Sequence, residues 1–210
     1  MANFGKDGAI QHDSAHKHVT GEALYVDDIV EPSGMLHAYL GLSEFTHGKI
    51  KNMNLDPVRA AAGVVEVLTA KDIPGANDVS PMGKDDDPVF AEYVEFYGQP
   101  IFAVVAQTRA QARAAAQLAE IEYEALDFTL DVADACKQDG PFVTDPLILK
   151  RGDVSKAMEQ AANTIRGTMR IGGQDHFYLE GHIAMAVPGE DDDVLVYSST
   201  QHPSEVQHMV

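Results

Sequence analysis

Residues 100–124 read PIFAVVAQTRAQARAAAQLAEIEYE. The first seven, Pro100–Ala106, are apolar without interruption, which suits a strand covered on both faces and therefore central in its sheet. Thr108 stands where an N-cap belongs, and the alanine-rich Arg109–Ala119 has the composition of a helix. Ile121-Glu122-Tyr123-Glu124 then alternates as a strand with one wet face. Strand, helix and strand close a compact first unit near residue 125.

Towards the N-terminus, Val64–Leu68 (VVEVL) is rich in β-branched residues and reads as a strand, ending in a one-turn helix or tight loop at Thr69–Gly75. Before it, residues 56–63 (DPVRAAAG) predict a short helix with Asp56 as N-cap, Pro57 in the first turn and Gly63 as the stop. Gly34–Leu42 is strand-like after a Pro-Ser-Gly turn. Residues 1–19 are polar, histidine-rich and without periodicity, and are expected to be an extended lead-in. Residues 75–92 hold the acidic run Lys84-Asp85-Asp86-Asp87-Pro88. It lacks the spacing of a calcium loop and reads as a solvated loop.

Towards the C-terminus, residues 126–150 look like a connector. Asp153 caps a short helix, Val154–Ala161, and three strands are expected at Thr164–Ile171, Ile183–Val187 and Val194–Ser199. Turns at Gly172–Gly173 and at the acidic Pro188–Asp193 would let them pair. Pro203-Ser204-Glu205-Val206-Gln207 starts a helix that has almost no chain left to complete it, which leads to the expectation of a partial polypeptide.

Charge and cysteine content exclude several classes of function. Lys+Arg number 15 against Asp+Glu 33, a formal net charge of −18, which opposes binding to nucleic acid or to an anionic membrane face. No apolar run reaches the roughly 20 residues of a membrane span, and residues 1–16 lack the apolar centre of a signal peptide. These features point to the cytoplasm. The single cysteine, Cys136, excludes an internal disulfide and any multi-cysteine zinc or iron–sulfur site in this chain. No motif activates its thiol. His12, His16 and His18 lie close together, but no cysteine or ordered carboxylate joins them, so incidental histidines are favoured over a metal site. Nucleophile-elbow, Walker and dinucleotide glycine motifs are absent.

Two segments differ in kind from the rest. GGQDHFYLE, residues 172–180, sets paired glycines beside dense polar and aromatic side chains. YSSTQHP, residues 197–203, carries a strand into a polar turn and a helix start, where backbone N–H groups and an amide are free. Chemistry alone leaves a ligand site and a hydrogen-bonded turn both open.

GGQDHFYLEG and SSTQHPSEVQ together resemble the molybdenum-cofactor subunit of the xanthine dehydrogenase family, and the opening HDSAHKHVTGEALYVDDI resembles the start of that subunit. The resemblance implies an α+β fold. An α/β hammerhead domain would occupy residues 20–125, and the truncated start of a molybdopterin-binding α+β domain residues 151–210, with 1–19 as lead-in and 126–150 as connector. It implies hydroxylation of a purine, xanthine or hypoxanthine, by a molybdenum–molybdopterin cofactor. Electrons would leave through iron–sulfur clusters and FAD on a partner subunit or module to NAD. An aldehyde oxidase and a non-catalytic assembly module are the alternatives.

Residue by residue, Gln201 matches the glutamine whose amide donates to the apical oxygen of molybdenum. Gln174, His176, Tyr178 and Glu180 match a stretch that would be framework near the cofactor or plain core packing. The family's GGGFGGKE-type loop, its substrate-orienting carboxylate and arginine, and its general-base glutamate have no counterpart in these 210 residues. The expectation is therefore an inactive, cofactor-free chain when isolated, prone to self-associate into a homo-oligomer.

Overall fold

In the computed structural model, Pro100–Ala106 forms strand β5, the middle of a three-stranded antiparallel sheet. Its neighbours are β1 (His37–Leu42) and β3 (Val64–Leu68), with Tyr39 and Val67 both in register with Val104. The continuous apolar run is explained by this placement, since most of β5 is buried. A second antiparallel sheet has β2 (Gly48–Asn54) between the short β4 (Tyr93–Val94) and β6 (Glu120–Ala125). The structure describes residues 12–81, 87–138, 140, 142 and 146–210. Most of the acidic run, residues 84–86, and the first part of the lead-in, residues 1–11, lie outside them.

Helix α3 (Arg109–Ala116) begins as expected, with the Thr108 hydroxyl accepting the N–H of Gln111 at 3.2 Å. It packs Ala112 and Ala115 into one buried cluster with Phe102, Val104 and Ala106 of β5, Val67 of β3 and Val58. Val58 belongs to α2 (Asp56–Arg59). Here Leu55, not Asp56, is the N-cap. Leu55 is needed in the core, and the Asn54 carboxamide oxygen takes the Asp56 N–H at 3.2 Å instead. Gly63 stops the segment with φ of 82°, and its bare Cα lies under the Gln111 amide, so any Cβ would collide there.

Two strands carried no period-two signal. In β2 the register shifts between Ile50 and Asn52, which breaks the alternation of an already lysine- and asparagine-rich segment. β4 is two residues long. The lead-in is corrected in part: Ala15–Thr20 is a short helix, α1, closed by Gly21 in the left-handed region.

The structure divides into two compact units. One contains the described residues up to Asp127 together with Tyr178–Val210, and the other is Phe128–Phe177. Within the second, α4 (Val132–Ala135) lies in the stretch read as a connector, capped by Asp131 and ended at the exposed Cys136. Helix α5 (Val154–Gln160) starts at Asp153, whose carboxylate accepts the Lys156 N–H at 3.0 Å. The strand expected at Thr164–Ile171 is not there: the segment is irregular, with Ile165 98% and Met169 82% exposed. Its alternating pattern suits a sheet, but no strand among the described residues pairs with it, and unpaired backbone has no ladder to join. In the first unit, β7 (Ala184–Pro188) and β8 (Val194–Ser198) form a hairpin closed by Gly189 N–H to Asp193 O at 2.7 Å. The final helix, α6 (Pro203–Met209), begins where the proline predicts.

Candidate functional site at the turn between β8 and α6

β8 delivers Ser199, Thr200 and Gln201 to a short turn before α6. The Thr200 hydroxyl accepts the His202 N–H at 3.0 Å, which closes the turn around Gln201. Gln201 is exposed, and its carboxamide bonds to none of the described residues. It borders a shallow depression of about 470 Å³ with His202, Pro203, Ser204, Glu205 and His208.

One residue behind it, Ser199 is fully engaged. Its hydroxyl accepts the Ile183 N–H at 3.0 Å and donates to the Gly181 carbonyl at 2.8 Å. Gly181 closes the GGQDHFYLEG motif, so the last residues of that motif and the SSTQ turn are tied by direct bonds. Nothing in the sequence pattern singled out Ser199. Only the hairpin register, with Ala184 opposite Ser198, places its hydroxyl against the chain entering β7.

The other motif residues take separate roles. The Glu180 carboxylate accepts the Val26 N–H at 2.8 Å. Tyr178 and His182 stack at 5.4 Å between ring centroids, with the phenol bonded to Nε2. In the other unit, Gln174 bonds among the described residues only to the neighbouring Gly173 carbonyl, and the Asp175 carboxylate accepts the Phe177 N–H at 3.1 Å. His176 is exposed. Tyr178 and Glu180 are thus structural groups within their own unit, and Gln174 and His176 are not brought to Gln201 by any bond among the described residues.

A larger groove, about 1060 Å³, runs between the outer edges of β1 and β7 and the face of α3. Arg109 on its wall is held by Asp27 at 3.5 Å and Glu31 at 3.4 Å, and His37 lies 3.8 Å from Glu31. His12 and His18 meet edge to face at 6.1 Å, and no group of three or more metal-ligating side chains exists among the described residues. None of their helices is long and apolar enough to cross a membrane.

Comparison with known proteins divides the chain differently from its compact units, because one of the two matched domains takes in parts of both. The a/b hammerhead domain of aldehyde oxidase and xanthine dehydrogenase matches residues 20–127, and a molybdopterin cofactor-binding domain matches residues 139–210. The chain is 40% identical over 201 residues to xanthine dehydrogenase of Dictyostelium discoideum, covering 96% of this chain and 15% of that protein. It is 39% identical over 204 residues to aldehyde oxidase 2 of Macaca fascicularis, again 96% of this chain and 15% of the relative. Among solved structures, the aldehyde oxidoreductase of Desulfovibrio gigas aligns with a TM-score of 0.75 at 26% identity, over 93% of this chain and 24% of that one. Quinoline 2-oxidoreductase of Pseudomonas putida 86 aligns with a TM-score of 0.74 at 26% identity, over 95% and 27%. The chain therefore spans a small part of the length of the proteins it matches. With the hammerhead match covering just over half of its residues and the cofactor-binding match most of the remainder, the chain belongs to the aldehyde oxidase and xanthine dehydrogenase family of molybdopterin-dependent oxidoreductases.

Proposed function

We propose that this chain is the hammerhead domain and the opening of the cofactor domain of a molybdenum hydroxylase acting on xanthine or hypoxanthine. Gln201 is its one direct contact to the molybdenum–molybdopterin cofactor. The observation that carries this reading is the carboxamide of Gln201, unspent among the described residues, on a turn whose Ser199 and Thr200 hydroxyls are both engaged. An amide with free N–H groups fits a hydrogen-bond donor to an oxygen of the cofactor. It does not fit a metal ligand, and no ligand cluster surrounds it among the described residues.

When bound, the cofactor supplies oxygen transfer and accepts two electrons from the substrate. The chain's own part is narrower. The Gln201 carboxamide is neutral and does not titrate, so it presents the same N–H donor at every working pH and adds no charge beside the metal. No residue here has the role of general base or substrate clamp, so the 210-residue chain alone turns over no substrate. Iron–sulfur clusters and FAD belong to a partner subunit or module, which passes electrons to NAD. The chain binds neither nucleic acid nor membrane, consistent with its charge of −18, and works in the cytoplasm.

The test is Gln201→Ala in the complete molybdenum enzyme. Loss of one hydrogen bond of about 1–3 kcal/mol predicts turnover roughly 5- to 150-fold lower at unchanged molybdenum content. Full turnover at full loading would give Gln201 another role. Elemental analysis of the purified chain alone should find no stoichiometric molybdenum, because a cofactor of that size must be enclosed from several sides.

A second reading, an aldehyde oxidase, is favoured by the 39% identity to aldehyde oxidase 2, almost equal to that with xanthine dehydrogenase. Comparing kcat/KM of the complete enzyme for xanthine and for an aromatic aldehyde separates the two.

A further inference from the structure

We propose that Ser199 is the positioning residue for Gln201, through a hydroxyl that locks the SSTQ turn to the end of the GGQDHFYLEG motif. The proposal rests on the role given to Gln201 above.

The last paired residues of the β7–β8 ladder are Ala184 and Ser198. One step further, the Ser199 N–H still donates to the Ile183 carbonyl at 3.0 Å. The return bond is different: the Ile183 N–H goes to the Ser199 hydroxyl at 3.0 Å, not to the Ser199 carbonyl. The side chain thus takes the place of a backbone acceptor, and the main chain after Ser199 is released to turn away from the sheet. The hydroxyl proton is spent on the Gly181 carbonyl at 2.8 Å, with the Ile183 carbonyl farther off at 3.3 Å. Thr200 closes the other side of the turn on His202. Gln201 is therefore flanked by two hydroxyl-mediated bonds while its own carboxamide stays free.

The Ser199 hydroxyl both accepts from one backbone N–H and donates to a backbone carbonyl two residues earlier in the segment that enters β7, which a methyl group at the same place cannot do. Without the hydroxyl, the Ile183 N–H and the Gly181 carbonyl lose their partner, and only the backbone bond from the Ser199 N–H to the Ile183 carbonyl still holds the turn two residues before Gln201. The effect would fall on where the amide points, not on whether the cofactor binds.

The informative pair is Ser199→Val and Ser199→Thr, which are nearly equal in shape and differ in the hydroxyl. In the 210-residue chain, NMR should show the Ile183 amide exchanging about tenfold faster or more in S199V, with the Gln201 side-chain amide signals displaced. S199T should restore both. In the complete molybdenum enzyme, S199V should lower kcat roughly fivefold or more with KM and molybdenum content unchanged, and S199T should recover the rate. Should valine not be accommodated, Ser199→Ala gives the same comparison. Unchanged Gln201 signals in S199V, or S199T behaving as S199V, would overturn the proposal. Displaced Gln201 signals together with full turnover in Gln201→Ala would leave the positioning intact and remove the role assigned to Gln201.

Discussion

The Glu180 carboxylate accepts the backbone N–H of Val26 at 2.8 Å, across 154 positions of sequence. Val26 opens a single helical turn, Val26–Asp28, whose own closure uses the Tyr25 N–H and the Asp28 carboxylate at 2.9 Å. Glu180 therefore fastens the N-terminal segment to the chain that leads into β7. The bond is charge-assisted but half-buried, so solvent screening reduces its worth to about 1 kcal/mol. Glu180→Ala should remove exchange protection at the Val26 amide, and Glu180→Gln, which keeps an acceptor oxygen, should retain most of it. Equal protection in all three proteins would mean that the tie contributes nothing.

Gly41 lies opposite Phe102 in the β1–β5 register, and the Phe102 ring covers its bare Cα. A Cβ at position 41 would fall inside the ring, which is itself buried. Gly41→Ala should destabilise the chain by about 1–3 kcal/mol, the usual cost of overpacking. Pairing it with Phe102→Leu should cost less than the sum of the two single changes, because the smaller side chain yields the space. Strict additivity in urea unfolding would show that the two residues do not compete.

The central strand and its helix were legible because each carries its signal locally. Pro100–Ala106 has a continuous apolar run, and Thr108 and Asp153 sit directly before helix-forming residues. What the pattern missed depends on partners distant in sequence. β2 exists because β6 pairs with it across a bulge, and Thr164–Ile171 fails to form a strand because none of the described residues pairs with it. The candidate site divides the same way. Gln201 is proposed from the resemblance of its motif, whereas the Ser199 bonds and the Glu180–Val26 bond emerge only from hairpin register and long-range contact.

Asp72 has a carboxyl held below the ordinary value of 3.8, first by the Thr69 hydroxyl and then by the Thr69 N–H, both at 2.8 Å. Because the folded value is depressed, its contribution to stability is complete above the ordinary value and is lost as pH falls through the folded one. Thr69→Val removes the larger cause and keeps the backbone bond. The Asp72 titration midpoint followed by NMR should rise towards 3.8 without fully reaching it. An unchanged midpoint would assign the depression to the retained Thr69 N–H and the Arg59 and Lys71 charges, not to the hydroxyl.

Residues 20–127 should fold without the rest of the chain. Every residue of the buried cluster lies between Leu55 and Ala115, and the partly buried side chains against it lie between Ile50 and Tyr123. The buried polar pair is closed within the same stretch. The Ser43 N–H donates to the Gln99 carbonyl and the Gly98 N–H to the Ser43 carbonyl, both at 2.8 Å, and the Gln99 side chain accepts the Glu95 N–H at 2.8 Å. Removing residues 128–210 takes away the Glu180 bond to Val26 and one wall of the groove beside β1, but no member of the core. A polypeptide of residues 20–127 should therefore unfold in urea as a single cooperative transition, with a slope of about 1–3 kcal/mol per M. A broad, non-cooperative loss of structure would show that the β7–β8 hairpin is part of the folding unit, and that the Glu180–Val26 tie is required for the fold.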